Sequence, residues 1–156
     1  MGSSSSLNLI RAITEAAGDD VQTAYNAERQ NNMHSILTST VPGRLPCKRI
    51  FFLEWKPDND QAKLRQSLID LIWIVIQHLI PYNFTSIAFP AIGCGEHGCS
   101  VDLVVKTLVK EIKNQLIMRD LALTVKFVIQ PNQQNIYDEF CKQVLTTHNG
   151  IANFFV

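Results

Sequence analysis

The sequence is poor in cysteine, has no excess of either charge and contains no long uninterrupted apolar segment. Its 4 cysteines among 156 residues are too few and too dispersed for a disulfide scaffold, so we expect reduced thiols and a cytoplasmic or nuclear location. Its 14 basic and 14 acidic residues balance, which argues against a basic surface for nucleic acid. The longest apolar run, residues 68–80, contains Asp70, Gln77 and His78 and is shorter than the ~20 residues of a membrane span. We therefore expect neither nucleic acid nor a membrane as a partner.

Predicted strands and helices alternate along most of the chain. With 46% hydrophobic and 18% charged residues, it is expected to form one globular domain over residues 7–150, after a flexible start at residues 1–6. The predicted strands cover residues 33–39, 48–55, 86–89 and 123–129, and the predicted helices cover residues 7–17, 19–30, 61–80, 101–118 and 133–147. This alternation predicts an α/β fold with a mostly parallel sheet, which binds ligands at the carboxyl ends of its strands. We hypothesise that the apolar tail, residues 151–156, supplies an additional strand.

The most informative segment follows the strand at residues 86–89 and contains three glycines before a helix that begins near Val101. Glycine allows positive φ and a close approach to a ligand, and successive N–H groups at the start of a helix form a concave site for phosphate. The segment lacks the Lys of a G-x-x-x-x-G-K-[ST] loop, and Ser100 is predicted to cap the helix. The candidate phosphate-binding residues are Ala91, Ile92, Gly93, Cys94, Gly95, Glu96, His97 and Gly98. A structural turn that binds no ligand is the alternative interpretation.

The same segment also contains residue types that bind metals or act as nucleophiles. Cys94, His97 and Cys99 are possible zinc ligands, but this spacing offers three at most and lacks a second pair elsewhere, so no metal site is predicted. A nucleophilic Cys94 assisted by His97 would require a stabilised thiolate. We prefer the interpretation that Cys94 is a small residue accommodated in a tight turn.

Several residues outside this segment are assigned to packing. Phe89 and Phe127 lie inside predicted strands, and Trp55 and Trp73 are interpreted as core aromatic residues. His78 lies on an apolar helix and is expected to be buried or partly buried.

Segments along most of the chain match one family in sequence and in order. They are residues 11–18 (RAITEAAG), 45–50 (LPCKRI), 86–95 (SIAFPAIGCG), 125–129 (VKFVI) and 136–140 (IYDEF). Together they resemble the macrodomain family, whose members bind ADP-ribose, and the variants that accompany poly-ADP-ribose polymerases are the most similar. The resemblance covers roughly residues 9–147 and implies a three-layer α/β/α fold with a mixed, mostly parallel sheet.

The chain departs from the family pattern at several places. Cys94 stands where Thr or Ser is usual, and Phe52 stands where a His is usual. Members of the family begin with two strands that carry an Asn-Ala-Ala-Asn run and lead to a second glycine-rich loop, and residues 1–6 offer no counterpart. The resemblance therefore predicts a sheet that lacks one of its usual interior strands.

The resemblance also assigns roles to polar residues at the predicted site. Glu96 and His97 lie where the second ribose of the family ligand would sit, although solvent exposure alone explains them equally well. Gln130 and Asn132 follow the last predicted strand, at the sheet end where the family packs the adenosine half of its ligand. Capping of the last helix is the alternative role for Asn132.

The function implied by the resemblance is that of a module that binds ADP-ribose, or a related nucleotide diphosphate, and recognises ADP-ribosylated proteins. It requires no cofactor besides that ligand. One alternative is a hydrolase that removes mono-ADP-ribose from proteins, and another is an interaction domain without a ligand. The hydrolase is disfavoured because the catalytic Asn and Gly residues of such relatives belong to the part without a counterpart here, so we expect no enzymatic activity.

Overall fold

The computed structural model describes residues 4–94, 99–147 and 153–156, and the chain divides into two compact units, Met1–Lys56 and Pro57–Val156. The first unit contains α1 (Ser4–Ala17), α2 (Asp19–Asn31), β1 (Leu37–Thr40) and β2 (Ile50–Leu53). The two strands pair in antiparallel orientation, with Leu37 opposite Leu53. β1 is shorter than predicted because residues 32–35 form a turn, in which the Ser35 N–H donates to the Asn32 carbonyl at 3.1 Å.

Two glycines fix the end of α1 and the loop that packs against it. Gly18 has φ 96° and ends α1, and its N–H donates to the Thr14 carbonyl at 2.9 Å. Gly43 has φ 57°, and a Cβ there would lie 2.2 Å from the carbonyl oxygen of Ala17. The Arg44 N–H donates to the same oxygen at 2.9 Å. Only glycine permits this close approach of the loop to the helix end.

The second unit contains the parallel part of the fold. Its elements are α3 (Gln61–Leu79), a 3₁₀ turn (Ile80–Tyr82), β3 (Ser86–Pro90), α4 (Val101–Met118), β4 (Thr124–Val128), α5 (Gln134–Thr147) and β5 (Asn153–Phe155). Its sheet has the order β3-β4-β5 with both pairings parallel, and the tail hypothesised to add a strand contains β5. Together with the antiparallel β1–β2 pair, this confirms the predicted mixed, mostly parallel character. Within the described ranges, no helix is both long enough and apolar enough to span a membrane.

Sequence signals explain where α3 begins and which side of it is buried. The Asp60 carboxylate accepts from the Lys63 N–H at 3.0 Å and caps the helix. The buried side chains of α3 recur every three or four residues and are Leu64, Leu68, Leu71, Ile72, Val75, Ile76 and Leu79. Trp73 lies off this stripe and is 50% exposed, so its assignment to the core is wrong. His78 is also exposed, with Nδ1 at 2.9 Å from the Ile74 carbonyl oxygen, so the prediction that it is buried is wrong as well.

Phenylalanines hold the buried face of the parallel sheet. Phe89 and Phe127 are buried as predicted, and the ring centroid of Phe127 lies 6.1 Å from that of Phe89 and 4.7 Å from that of Phe140. Phe154 of β5 stacks on Phe127 at 6.2 Å with an interplanar angle of 3°. The next residue, Phe155, points to the other face and is 55% exposed.

The two adjacent phenylalanines of β5 provide a matched test of this packing. We expect Phe154→Ala to lower the free energy of unfolding by about 2 kcal/mol, because the ring loses buried area against Phe127. Phe155→Ala is expected to cost less than about 0.5 kcal/mol because its ring is exposed. Urea unfolding followed by circular dichroism measures both, and equal losses would contradict the assigned register of β5.

Candidate functional site

The carboxyl end of the parallel sheet gathers two of the predicted groups of site residues. β3 and β4 pair in parallel with Pro90 opposite Val128, so the segments that follow both strands leave the sheet at the same edge. Residues 91–94 follow β3, and Gln130 and Asn132 follow β4. The edge of a parallel sheet where consecutive strands end is the place where α/β domains bind ligands.

Two N–H groups of the turn after β3 are hydrogen-bonded within the turn itself. The Ile92 N–H donates to the Pro90 carbonyl at 2.8 Å, and the Cys94 N–H donates to the Ala91 carbonyl at 3.2 Å. Gly93 is buried and has φ 72°, a conformation that glycine adopts without strain. Within the part of the chain that the structure describes, no backbone carbonyl accepts from the Gly93 N–H. Among the described residues of this turn, Ala91 and Gly93 are therefore the ones whose N–H groups are candidates for an anion.

Four of the predicted phosphate-binding residues, Gly95, Glu96, His97 and Gly98, lie outside the described residues. Ala91 and Ile92 are half-buried, and Cys94 is 6% exposed. The described members of the predicted set thus form one continuous turn between β3 and that segment.

An acidic residue occupies the start of α4. Ser100 stands at the predicted N-cap position, but its hydroxyl makes no capping bond to the backbone and instead donates to the Asp102 carboxylate. This bond and a further one from the Leu103 N–H hold the pKa of Asp102 below its ordinary value. The sequence reasoning did not single out Asp102, although an acidic residue in a first helical turn was a visible signal. The carboxylate already supplies the negative charge that this helix end favours.

The family model for the Macro domain matches residues 8–108. The chain belongs to the macrodomain family. The match includes β3, the turn after it and the first residues of α4.

Solved structures of macrodomains share the fold. An Oceanobacillus iheyensis macrodomain with ADP has a TM-score of 0.73 at 20% identity, covering 88% of this chain and 76% of that one. A variant of that macrodomain with ADPR has a TM-score of 0.71 at 21% identity, and the match covers 87% of this chain and 77% of that one. The macro domain of ganglioside induced differentiation associated protein 2 has a TM-score of 0.67 at 15% identity, and the match covers 86% of this chain and 68% of that one. These similarities show the predicted three-layer α/β/α macrodomain fold.

The polar residues after β4 lie on the surface of this macrodomain. Gln130 and Asn132 are exposed, and the Gln133 N–H donates to the Gln130 carbonyl at 3.0 Å to close a turn. α5 begins at Gln134, so Asn132 lies outside the N-cap position and the capping alternative is wrong. Both side chains are accessible at the sheet edge.

The thiol of Cys94 is unsuited to nucleophilic catalysis. Burial, with a smaller contribution from the nearby Cys99 thiol, raises the pKa of Cys94 to about 12. At pH 8 about one molecule in 10⁴ carries the thiolate, which is the reactive form. Among the described residues, no three His, Cys, Asp or Glu side chains lie close enough together to bind a metal ion. The possible zinc ligands Cys94, His97 and Cys99 are not tested as a set, because His97 lies outside the described residues.

We expect iodoacetamide at pH 8 to modify Cys47 at least about 100-fold faster than Cys94, because Cys47 is exposed and Cys94 is a buried thiol with a raised pKa. Peptide mass spectrometry after timed quenching measures both rates. The denatured protein, in which both residues should react alike, is the control. Equal rates in the folded protein would contradict the assigned burial of Cys94.

The raised pKa of Cys94 makes the stability of the fold depend on pH. The folded protein holds Cys94 protonated above its ordinary pKa of 9.0, so its contribution to stability is complete below about pH 9 and is lost as the pH rises towards 12.

Proposed function

We propose that this macrodomain binds ADP-ribose and recognises proteins that carry it, in the cytoplasm or nucleus. Family membership is the observation that carries the proposal, since the family model covers the glycine-containing segment and the strand before it. The similar Oceanobacillus structures with ADP and with ADPR support the same ligand class. Only the ligand itself is required, and no cofactor is invoked.

In this proposal the diphosphate of the ligand lies against the segment between β3 and α4. Gly93 offers its N–H there, and the remaining donors would come from residues 95–98, which lie outside the described part of the chain. The dipole of α4, an 18-residue helix, adds about 0.3–1 kcal/mol for an anion at its N-terminus. The adenosine half would lie toward Gln130 and Asn132, the exposed polar residues on the neighbouring strand end.

A second candidate, an interaction domain without a nucleotide ligand, has a specific observation in its favour. The N–H groups of Ile92 and Cys94 are paired within their own turn, and Asp102 places a negative charge beside the proposed diphosphate position. Both features weaken anion binding relative to an open turn. The hydrolase alternative gains no support from Cys94, whose thiol stays protonated near neutral pH.

The two candidates are separated by calorimetric titration with ADP-ribose and by a glycine substitution in the turn. We expect saturable binding, weakened at least about tenfold by Gly93→Ala, because a Cβ at positive φ strains the backbone that presents the N–H. Gly18→Ala is the matched control: it creates the same type of strain at φ 96°, in a turn that the proposal does not use. It should leave the affinity unchanged.

Thermal unfolding of both variants shows whether each remains folded at the titration temperature. If the parent protein binds no ADP-ribose at about 1 mM, the interaction-domain candidate replaces the proposal. If the two alanine variants lose affinity equally, the turn after β3 is not the binding site.

A substitution at the start of α4 tests the electrostatic part of the proposal. We expect Asp102→Asn to tighten ADP-ribose binding about two- to fivefold, because it removes a carboxylate that competes with the diphosphate for the helix N-terminus. Asp138→Asn, which removes an exposed carboxylate from α5, is the control and should change the affinity little. Calorimetry at low ionic strength measures both effects, and a weaker Asp102→Asn variant would show that the ligand lies elsewhere.

A further inference from the structure

A groove of about 380 Å³ lies between α3 and α4. Its walls carry three cationic side chains, Arg65 on α3 and Lys106 and Lys110 on α4. Ile69 and Leu103 line the same space and add apolar surface. The groove thus combines positive charge with apolar surface.

The charges that line the groove do not balance. All three cations are exposed, and within the described ranges none of them forms an ion pair. Lys106 and Lys110 are four residues apart on one helix, so their ammonium groups lie on the same face. The one carboxylate in the lining, Glu111, accepts from the Gln115 side-chain amide at 2.8 Å. The groove therefore holds an excess of two positive charges although the whole chain is neutral.

The two helices run in parallel. Arg65 near the start of α3 lies beside Leu103 and Lys106 of α4, and the side-chain amide of Gln77 faces the Arg119 guanidinium near the ends of both helices. Trp73 follows the lining residue Ile69 by four residues on α3, and it is 50% exposed. Ile117, near the end of α4, is also exposed. One end of this helix pair is basic and the other presents unburied apolar side chains.

We propose that this groove binds an acidic amphipathic peptide segment of a partner protein. Carboxylates of the segment would pair with Arg65, Lys106 and Lys110, and its apolar side chains would pack on Trp73 and Ile117. Charge complementarity decides the sign of the partner, because the groove offers cations that form no ion pair with any described residue. Its place between two parallel helices, with the exposed side chains of Trp73 and Ile117 further along them, suits a helix laid lengthwise. This surface meets the proposed nucleotide site only at the first turn of α4, where Leu103 lines the groove, and the proposal does not depend on nucleotide binding.

The probe for this site is a fluorescein-labelled peptide of three Glu-Leu-Glu-Glu-Leu-Glu-Ala repeats, whose binding is followed by fluorescence anisotropy. We expect saturable binding below about 1 mM, weakened more than about fivefold between 50 and 300 mM NaCl. The double variant Lys106→Gln/Lys110→Gln should lower the affinity about tenfold. The matched control, Lys126→Gln/Lys142→Gln, removes the same charge from exposed lysines on β4 and α5 and should leave it nearly unchanged.

Two further measurements distinguish a docking groove from a general attraction of anions. Trp73→Ala should weaken binding about threefold or more, because adsorption by charge alone would not involve this side chain. A peptide with Ser for every Leu should bind correspondingly worse. Gly93→Ala, which is directed at the nucleotide site, should leave peptide affinity intact, so failure of one proposal does not imply failure of the other.

Three results would overturn the inference. The first is no saturable binding of the Glu-Leu peptide to the folded parent protein. The second is an equal loss of affinity in the two double lysine variants, which would mean that the groove is not the site. The third is tighter binding of a thymidine 15-mer that is sensitive to Lys106 and Lys110, which would assign the groove to nucleic acid instead.

Discussion

The parallel pairing of β3 with β4 over the Phe127 ring determines where this macrodomain can bind a ligand. With Pro90 opposite Val128, the pairing brings the turn after β3 and the turn after β4 to one edge of the sheet. The packing of Phe127 against Phe89, Phe140 and Phe154 holds that register, because a shift of β4 by one residue would move the Phe127 ring to the opposite face of the sheet. The geometry of the candidate site is thus a consequence of core packing and not of the site residues themselves.

In the turn after β3, hydrogen bonds within the turn compete with hydrogen bonds to a ligand. A backbone N–H that is buried needs an acceptor, and in this turn Ile92 and Cys94 find theirs at the carbonyls of Pro90 and Ala91. Gly93 lies between them with φ 72°, and its N–H donates to no carbonyl within the described ranges. The carboxylate of Asp102 fills a similar role at the start of α4, where the free N–H groups attract negative charge. An anionic ligand at this edge must therefore compete with groups that the chain already supplies.

Apolar spacing and turn residues made most of the helices and strands predictable from the sequence. Features that depend on neighbours in space were not predictable in this way. The bounds of α4 agree with the prediction at both ends, because its apolar spacing is visible in the sequence. The exposure of Trp73 was missed, since α3 is apolar on nearly every side and its sequence alone does not indicate which side is covered. The inward hydrogen bonds of Ile92 and Cys94 were missed for another reason: backbone pairing within a turn leaves no trace in residue type. The resemblance to macrodomains supplied the family, which composition and periodicity did not reveal.

Net charge proved to be a poor guide to the surface. The balance of 14 basic and 14 acidic residues argues against a broad basic face, yet the groove between α3 and α4 concentrates Arg65, Lys106 and Lys110 around a single carboxylate. Lys106 and Lys110 share a face only because α4 is helical, and Arg65 joins them only because α3 packs alongside in parallel. A charged surface of this kind arises at the level of helix packing. It follows that the absence of a basic excess excludes an extended polyanion site more strongly than it excludes a short acidic segment in one groove.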